Sequence, residues 1–198
     1  MKRKNKNNLI RENYLLSLNF IKESKIFIYA IIGIFLFFTL IGFFIPTPEA
    51  VSDQILKFIE ELLKKTQDLS QPELIRFIFL NNIQSSFFGM ILGIFFGIFP
   101  IITAIANGYL LGFVASFSVN AVGISILLRL FPHGIFELPA IFLSLGLGLK
   151  ISTFIFKKKK LKTLKIYLKN SLITFLFIVI PLLIIAALIE GSLISLSG

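Results

Sequence analysis

The chain has 198 residues, of which 56% are hydrophobic, and its mean hydropathy is +0.91. Soluble domains are usually about 45–50% apolar, so this composition indicates a membrane protein. The absence of cysteine excludes disulfides, thiolate metal ligands and thiol catalysis. The formal net charge of +10 would suggest a nucleic-acid partner in a soluble protein. Here the basic residues form two blocks beside apolar runs, a pattern that orients membrane proteins, so we expect no nucleic-acid partner.

The first quarter of the chain predicts one amphipathic helix and one membrane span. Residues 1–25 are basic, and apolar residues at helical spacing over residues 9–23 predict an amphipathic helix on the membrane surface. The apolar run over residues 26–45 is longer than the core of a cleavable signal peptide, and no cleavage motif follows it. It therefore predicts the first transmembrane helix, ended by Pro46 and Pro48.

Residues 49–73 form the only long polar connection, and their apolar residues mark one face of a helix. The polar face is slightly acidic, which disfavours binding to anionic lipid. We predict an extracytoplasmic amphipathic segment that forms a lid on the bundle or a docking face for a partner. A solvated helix covering the bundle end is the alternative interpretation.

The centre of the chain, residues 77–128, contains no charged side chain. It is long enough for two crossings of a bilayer whose apolar core is roughly 30 Å thick. We predict the second transmembrane helix over residues 74–99 and the third over residues 100–120, with Pro100 opening the third. Residues 124–131 are apolar but short, which favours an interfacial or re-entrant turn.

The C-terminal part predicts a fourth transmembrane helix over residues 132–156, a basic loop over 157–170 and a fifth helix over 171–189. The expected fold is therefore all-α, a polytopic membrane helical bundle with about five transmembrane helices and added amphipathic helices. Five spans place the two basic blocks on the same side of the membrane. The positive-inside rule then predicts a multi-pass protein of the cell membrane with a cytoplasmic N-terminus and an extracytoplasmic C-terminus.

Small residues recur every fourth position in the central spans. In lipid, such stripes allow two helix backbones to approach closely. The helix-packing candidates are Gly89, Gly93, Gly97, Gly108 and Gly112. They pack either within the hairpin of the second and third spans or at a subunit interface. The intramembrane amides Asn81, Asn82 and Asn107 are expected to form interhelical hydrogen bonds rather than substrate contacts.

A cluster of polar residues follows the uncharged stretch. Arg129, His133 and Glu137 are each four residues apart, so on one helix they would share a face. Ionisable groups at membrane depth are costly and usually face the bundle interior or a watery cavity. One interpretation is a structural polar clamp that holds the fourth helix to its neighbours, and the other is a proton or ion relay.

The motifs of enzymes are absent from the sequence. One histidine and one nearby glutamate cannot complete a zinc site, and H-E-x-x-H, Walker A and dinucleotide fingerprints are missing. Ser125 with His133 as a base would lack both a nucleophile elbow and a third orienting group. We therefore predict no enzymatic activity, no catalytic residue, no metal and no cofactor.

Several short strings resemble the stage II sporulation protein M family. They are Phe79-Leu80-Asn81-Asn82, a glycine-punctuated helix to Pro100, Asn107-Gly108, Leu111-Gly112 and the P-H-G-I-F-E-L-P-A string of residues 132–140. The resemblance covers roughly residues 75–150. It implies a membrane protein of about five helices without catalytic activity, and it marks Asn107, Gly108, His133 and Glu137 as signature positions only. In endospore formers, the namesake is a membrane scaffold for membrane-anchored peptidoglycan-degrading proteins, and family members also occur outside spore formers.

Two functional hypotheses follow. The first is a non-enzymatic scaffold or assembly subunit whose partners are the lipid bilayer, other membrane proteins and further copies of itself in a homo-oligomer. The second is a permease or channel component that uses the Arg129, His133 and Glu137 cluster at membrane depth. Solute flux in proteoliposomes would distinguish the second from the first.

Overall fold

The computed structural model describes residues 6–197, with side chains for residues 8–125 and 134–194. Seven α-helices make up this described chain, which contains no strand. They are α1 (Lys6–Phe44), α2 (Glu49–Thr66), α3 (Gln71–Ile91), α4 (Ile98–Val122), α5 (Leu127–Ser152), α6 (Lys160–Thr174) and α7 (Ile180–Ser197). The predicted all-α membrane bundle is confirmed.

Five helical stretches within the described residues are long and apolar enough to cross a bilayer. They are Asn8–Phe44, Gln71–Ile94, Ile98–Val122, Gly134–Phe156 and Lys160–Ile194. Their number agrees with the sequence prediction, because apolar length is a local property of the chain. Their bounds differ from the predicted ones in four places.

The first and last spans are longer than predicted. Helix α1 is continuous, so the surface helix predicted over residues 9–23 and the span predicted over residues 26–45 are one helix. No glycine or proline lies between residues 9 and 32 to break it. Helix α6 begins at Lys160, and a 3₁₀ segment, Thr153–Phe156, followed by residues 157–159 connects α5 to it. Most of the predicted loop over residues 157–170 is therefore helical, and lysine is a good helix former.

The re-entrant turn predicted over residues 124–131 is also helical. Ile124–Ile126 form one 3₁₀ turn, and α5 starts directly after it at Leu127. Helix α5 then continues through Pro132 and Pro139 without interruption. Transmembrane helices tolerate such prolines because neighbouring groups satisfy the freed carbonyls.

The turn between α3 and α4 lies earlier than predicted. Helix α3 ends at Ile91, and a 3₁₀ segment, Leu92–Ile94, leads into the turn. Phe96 and Gly97 have φ angles of 57° and 72°, in the left-handed region that glycine adopts without a Cβ clash. The prediction that Gly97 lies on a helix reaching residue 99 is therefore wrong.

A π-helical segment, Phe175–Val179, joins α6 to α7 within the last span. Pro181 follows it and cannot donate a hydrogen bond to the carbonyl of Phe177. A local widening of the helix is one of the usual responses to such a missing bond.

Contacts between residues of different helices give the directions of the helices. Helices α1 and α4 are parallel, because the residue numbers of their contacts rise together: Phe35 with Gly108, and Thr39 with Gly112. The numbers run in opposite directions for α1 with α5 and for α3 with the last span, so these pairs are antiparallel; the contacts are Ile28–Gly146, Phe35–Phe142, Ile75–Gly191 and Phe87–Phe175. The start of α1, the α3–α4 turn and residues 157–159 consequently lie at one end of the bundle, here named the basic end. Helix α2 lies at the other end, named the α2 end.

Candidate functional site

The glycines predicted to pack helices lie against other helices of the same chain. A Cβ added at Gly93 would overlap the carbonyl oxygen of Gly148 in α5, and one added at Gly89 would lie 2.5 Å from Leu145 Cδ2. Gly108 and Gly112 of α4 face the carbonyl oxygens of Phe35 and Thr39 in α1. Their partners are thus α5 and α1, not the α3–α4 hairpin that the sequence suggested.

Three further glycines, which the sequence argument missed, complete these contacts. Gly42 of α1 lies against the carbonyl oxygen of Tyr109, Gly146 of α5 lies against Ile28, and Gly148 lies against the carbonyl oxygens of Gly89 and Met90. They are spaced irregularly and supply the opposite side of each crossing. The backbones of α1 and α4, and of α3 and α5, therefore touch almost directly, an arrangement that favours helix association in lipid.

A cavity of about 700 Å³ lies between α1, α4 and α5. Its walls are mostly apolar, with three polar side chains: Thr39, Asn107 and Glu137. The apolar lining residues include Phe35, Leu110, Leu111, Val114, Ile141 and Phe142. This volume falls within the range of roughly 300–1,000 Å³ that is typical of small-molecule sites.

Glu137 carries the only formal charge among the described residues that line this cavity. It forms no hydrogen bond or ion pair with any side chain of residues 8–125 or 134–194. Glu190 of α7, which the sequence argument did not single out, lies within electrostatic range of it. These two acidic residues belong to different membrane-spanning helices.

The other two members of the predicted polar cluster, Arg129 and His133, have side chains outside the described residues. Their backbones belong to α5, one and two helical turns before Glu137. The clamp and relay interpretations of this cluster therefore stay predictions.

The predicted amides form no interhelical hydrogen bond with the described side chains or backbone. Asn107 Nδ2 donates a hydrogen bond of 2.8 Å to the carbonyl of Thr103, within α4 itself, and the side chain lines the cavity. Asn81 is exposed and Asn82 is half-buried on α3. An interhelical hydrogen bond at this depth comes instead from Ser144 of α5, whose hydroxyl donates to the carbonyl of Ser86 in α3 at 2.5 Å.

A buried lysine occupies the basic end. Lys150 of α5 is 4% exposed, and its Nζ lies 3.2 Å from Oε2 of Glu23 in α1. The same ammonium lies 4.0 Å from the centre of the Phe20 ring and 5.4 Å from that of Tyr167 in α6. This arrangement joins three helices by one ion pair and two cation–π contacts. In the sequence, the only indication of this ion pair was a single lysine within an apolar run.

Helix α2 is amphipathic, yet it has no fully buried residue, so it is not a packed lid. Ile55, Ile59 and Leu62 of its apolar face are half-buried. Phe58 and Leu63 of its apolar face are 49% and 62% exposed. On the polar face, the Lys64 ammonium is 2.7 Å from Oε1 of Glu60. This hydrogen bond and the attraction between the charges lower the pKa of the Glu60 carboxyl.

A comparison with family models assigns most of this chain to one family. The model described as stage II sporulation protein M matches residues 31–193, which include all five spans in whole or in part. Comparisons with curated proteins and with solved structures find no match. The match extends well beyond the strings over residues 75–150 that first suggested the resemblance. The chain therefore belongs to the stage II sporulation protein M family.

Proposed function

We propose that this protein is a non-enzymatic scaffold or assembly subunit of a membrane complex. The family assignment supports a multi-pass membrane protein of this type. The observation that carries the scaffold role is the exposure of Phe58 and Leu63 on the apolar side of α2. Amphipathic helices commonly bind partners by placing such a face in a complementary groove.

The chain holds α2 at the end of the bundle and leaves part of its apolar face exposed. Residues 45–48 lead from α1 into α2, and the Thr47 hydroxyl is 2.9 Å from the hydroxyl of Tyr109 in α4. After α2, residues 67–70 lead into α3, where Ser70 and Glu73 form a capping box with a 2.9 Å bond from Ser70 N–H. Both ends of the helix are therefore anchored, and the exposed part of its apolar face is available to a partner.

The charges of α2 favour a protein over an anionic lipid surface as that partner. Acidic residues outnumber basic ones over residues 49–68. Peripheral helices that bind anionic lipid usually carry lysine and arginine on the polar face. Homo-oligomerisation through the glycine stripe is not part of the proposal, because the chain's own helices cover those glycines.

Site-specific photocrosslinking in native membranes tests this role. A benzoylphenylalanine would replace Phe58 on the apolar face or, as the matched control, Lys57 near the centre of the polar face. We expect a discrete protein adduct from position 58, identified by mass spectrometry, and none from position 57. Adducts only to lipid at position 58, or the same adducts from both positions, would contradict the scaffold proposal.

The permease or channel alternative stays a hypothesis, since no described feature favours it over the scaffold.

A further inference from the structure

We propose that the cavity between α1, α4 and α5 binds a primary amine carried on an apolar body, with its ammonium group against Glu137. The inference rests on the cavity alone and is independent of the scaffold role assigned to α2. Its basis is the chemistry of the three polar side chains in an otherwise apolar lining.

These polar side chains offer the cavity mainly hydrogen-bond acceptors. Thr39 uses its hydroxyl hydrogen on the carbonyl of Phe35 at 2.9 Å, so it presents only lone pairs to the cavity. Asn107 uses one amide hydrogen on the carbonyl of Thr103, which leaves its Oδ1 as an acceptor and one N–H as the only donor among the three side chains when Glu137 is ionised. Glu137, when ionised, accepts through both oxygens. A ligand group that donates several hydrogen bonds fits this lining better than one that accepts them.

The charge of the site selects a cation among such donors. Glu137 provides the only formal charge of the described lining. A buried carboxylate is expensive in an apolar environment, and an opposite charge is the usual compensation. An ammonium group supplies both the compensating charge and three hydrogen-bond donors.

The position of the cavity favours a ligand that arrives from the membrane. Glu137 lies 13 residues before Lys150, which is about 20 Å along the axis of α5 from the basic end. This places the cavity inside a hydrocarbon core of roughly 30 Å. The apolar side chains of α4 and α5, including Leu111 and Phe142, would then contact the apolar body of the ligand.

The test uses the full-length protein in phosphatidylcholine nanodiscs with a twelve-carbon alkylamine that carries a diazirine. The alcohol of the same chain length and diazirine serves as the neutral probe. We expect the amine to label the cavity-lining residues of α4 and α5 about tenfold more than the alcohol does, as a charge-assisted hydrogen bond implies. Peptide mapping by mass spectrometry measures this ratio.

Three variants make the test specific to the site. Glu137→Gln should reduce amine labelling to the level of the alcohol, whereas Glu60→Gln on exposed α2 should leave it unchanged. Val114→Phe, which narrows the cavity but keeps the carboxylate, should also reduce labelling if the protein melts at the wild-type temperature. Equal labelling by amine and alcohol, or full amine labelling of well-folded Glu137→Gln, would overturn the proposal.

A competition arm identifies the natural source of the amine. Phosphatidylethanolamine and phosphatidylcholine differ in the head group, because only the former keeps ammonium hydrogens. Suppression of labelling by phosphatidylethanolamine alone would assign the site to a lipid head group. Unchanged labelling with both lipids, together with the Glu137 dependence, would assign it to a free amphiphilic amine.

Discussion

At the scale of single residues, the glycines set how closely the helices approach. Gly93 and Gly148 bring α3 and α5 into backbone contact, and a side chain at either position has no free space. Backbone atoms cannot rotate away as the end of a flexible side chain can. Substitution there should therefore act on the stability of the single chain before it acts on any assembly.

The change Gly93→Ala tests this directly. Overpacking in a close contact typically costs about 1–3 kcal/mol, and we expect a loss of this size because the added Cβ overlaps the carbonyl of Gly148. The matched control is Gly33→Ala, since a Cβ at that exposed position meets nothing within 4 Å. Unfolding in mild detergent measures both variants. Equal stability of the two would contradict the close approach of α3 and α5.

Variants of Lys150 distinguish the contribution of its charge to stability from the contribution of its packing. Its side chain is buried, but that of Glu23 is 69% exposed, so solvent weakens the ion pair while the lysine still loses its hydration. We therefore expect Lys150→Met, which keeps the apolar contact with Phe20, to lie within about 1 kcal/mol of the wild type. Lys150→Ala should lose about 2–3 kcal/mol through the missing packing. Equal losses in both variants would show that the charge itself stabilises this end.

At the scale of helices, α1 is the element on which sequence and structure differ most. Apolar spacing indicated a surface helix before the first span, but the residues that gave this pattern are exposed: Tyr14, Leu15 and Leu18 are 47%, 49% and 37% exposed. The buried face of this stretch is a different one, formed by Ser17, Phe20 and Ser24. It packs against α6 and α5. The apolar periodicity therefore did not identify the face that packs in the bundle.

A distance measurement distinguishes these two arrangements of α1. Spin labels on cysteines at Leu9 and Leu40, both exposed, should lie about 46 Å apart in one continuous helix at 1.5 Å per residue. A right-angle bend near residue 24 would shorten this to roughly 33 Å by the same rise. The chain has no native cysteine, so pulsed electron spin resonance would report only these labels. The shorter distance would contradict the continuous helix.

At the scale of the whole molecule, the number of spans could be predicted from the sequence, but the partners of each helix could not. An apolar run long enough to span the membrane can be recognised from the local sequence alone. The Glu23–Lys150 pair joins residues 127 positions apart, and three separate helices surround the cavity. Only the packed bundle brings these groups together. Glu137 was singled out as a buried acid, whereas Glu190 and the cavity in front of Glu137 carried no local signal.

The packed bundle also relates the two basic blocks to each other. Helix α1 enters the bundle from the same end at which residues 157–159 connect α5 to α6, and α2 lies at the opposite end. The positive-inside rule predicts that this basic end faces the cytoplasm. The central prediction is thus a five-span chain with its two basic blocks inside the cell and α2 outside.

Cysteine accessibility tests this claim most directly. Asp53→Cys on α2 and Lys158→Cys in the α5–α6 connection would each be the only cysteine in the chain. A membrane-impermeant maleimide should label position 53 in intact cells and position 158 only after lysis. Labelling of both positions from outside, or of position 158 alone, would contradict the arrangement.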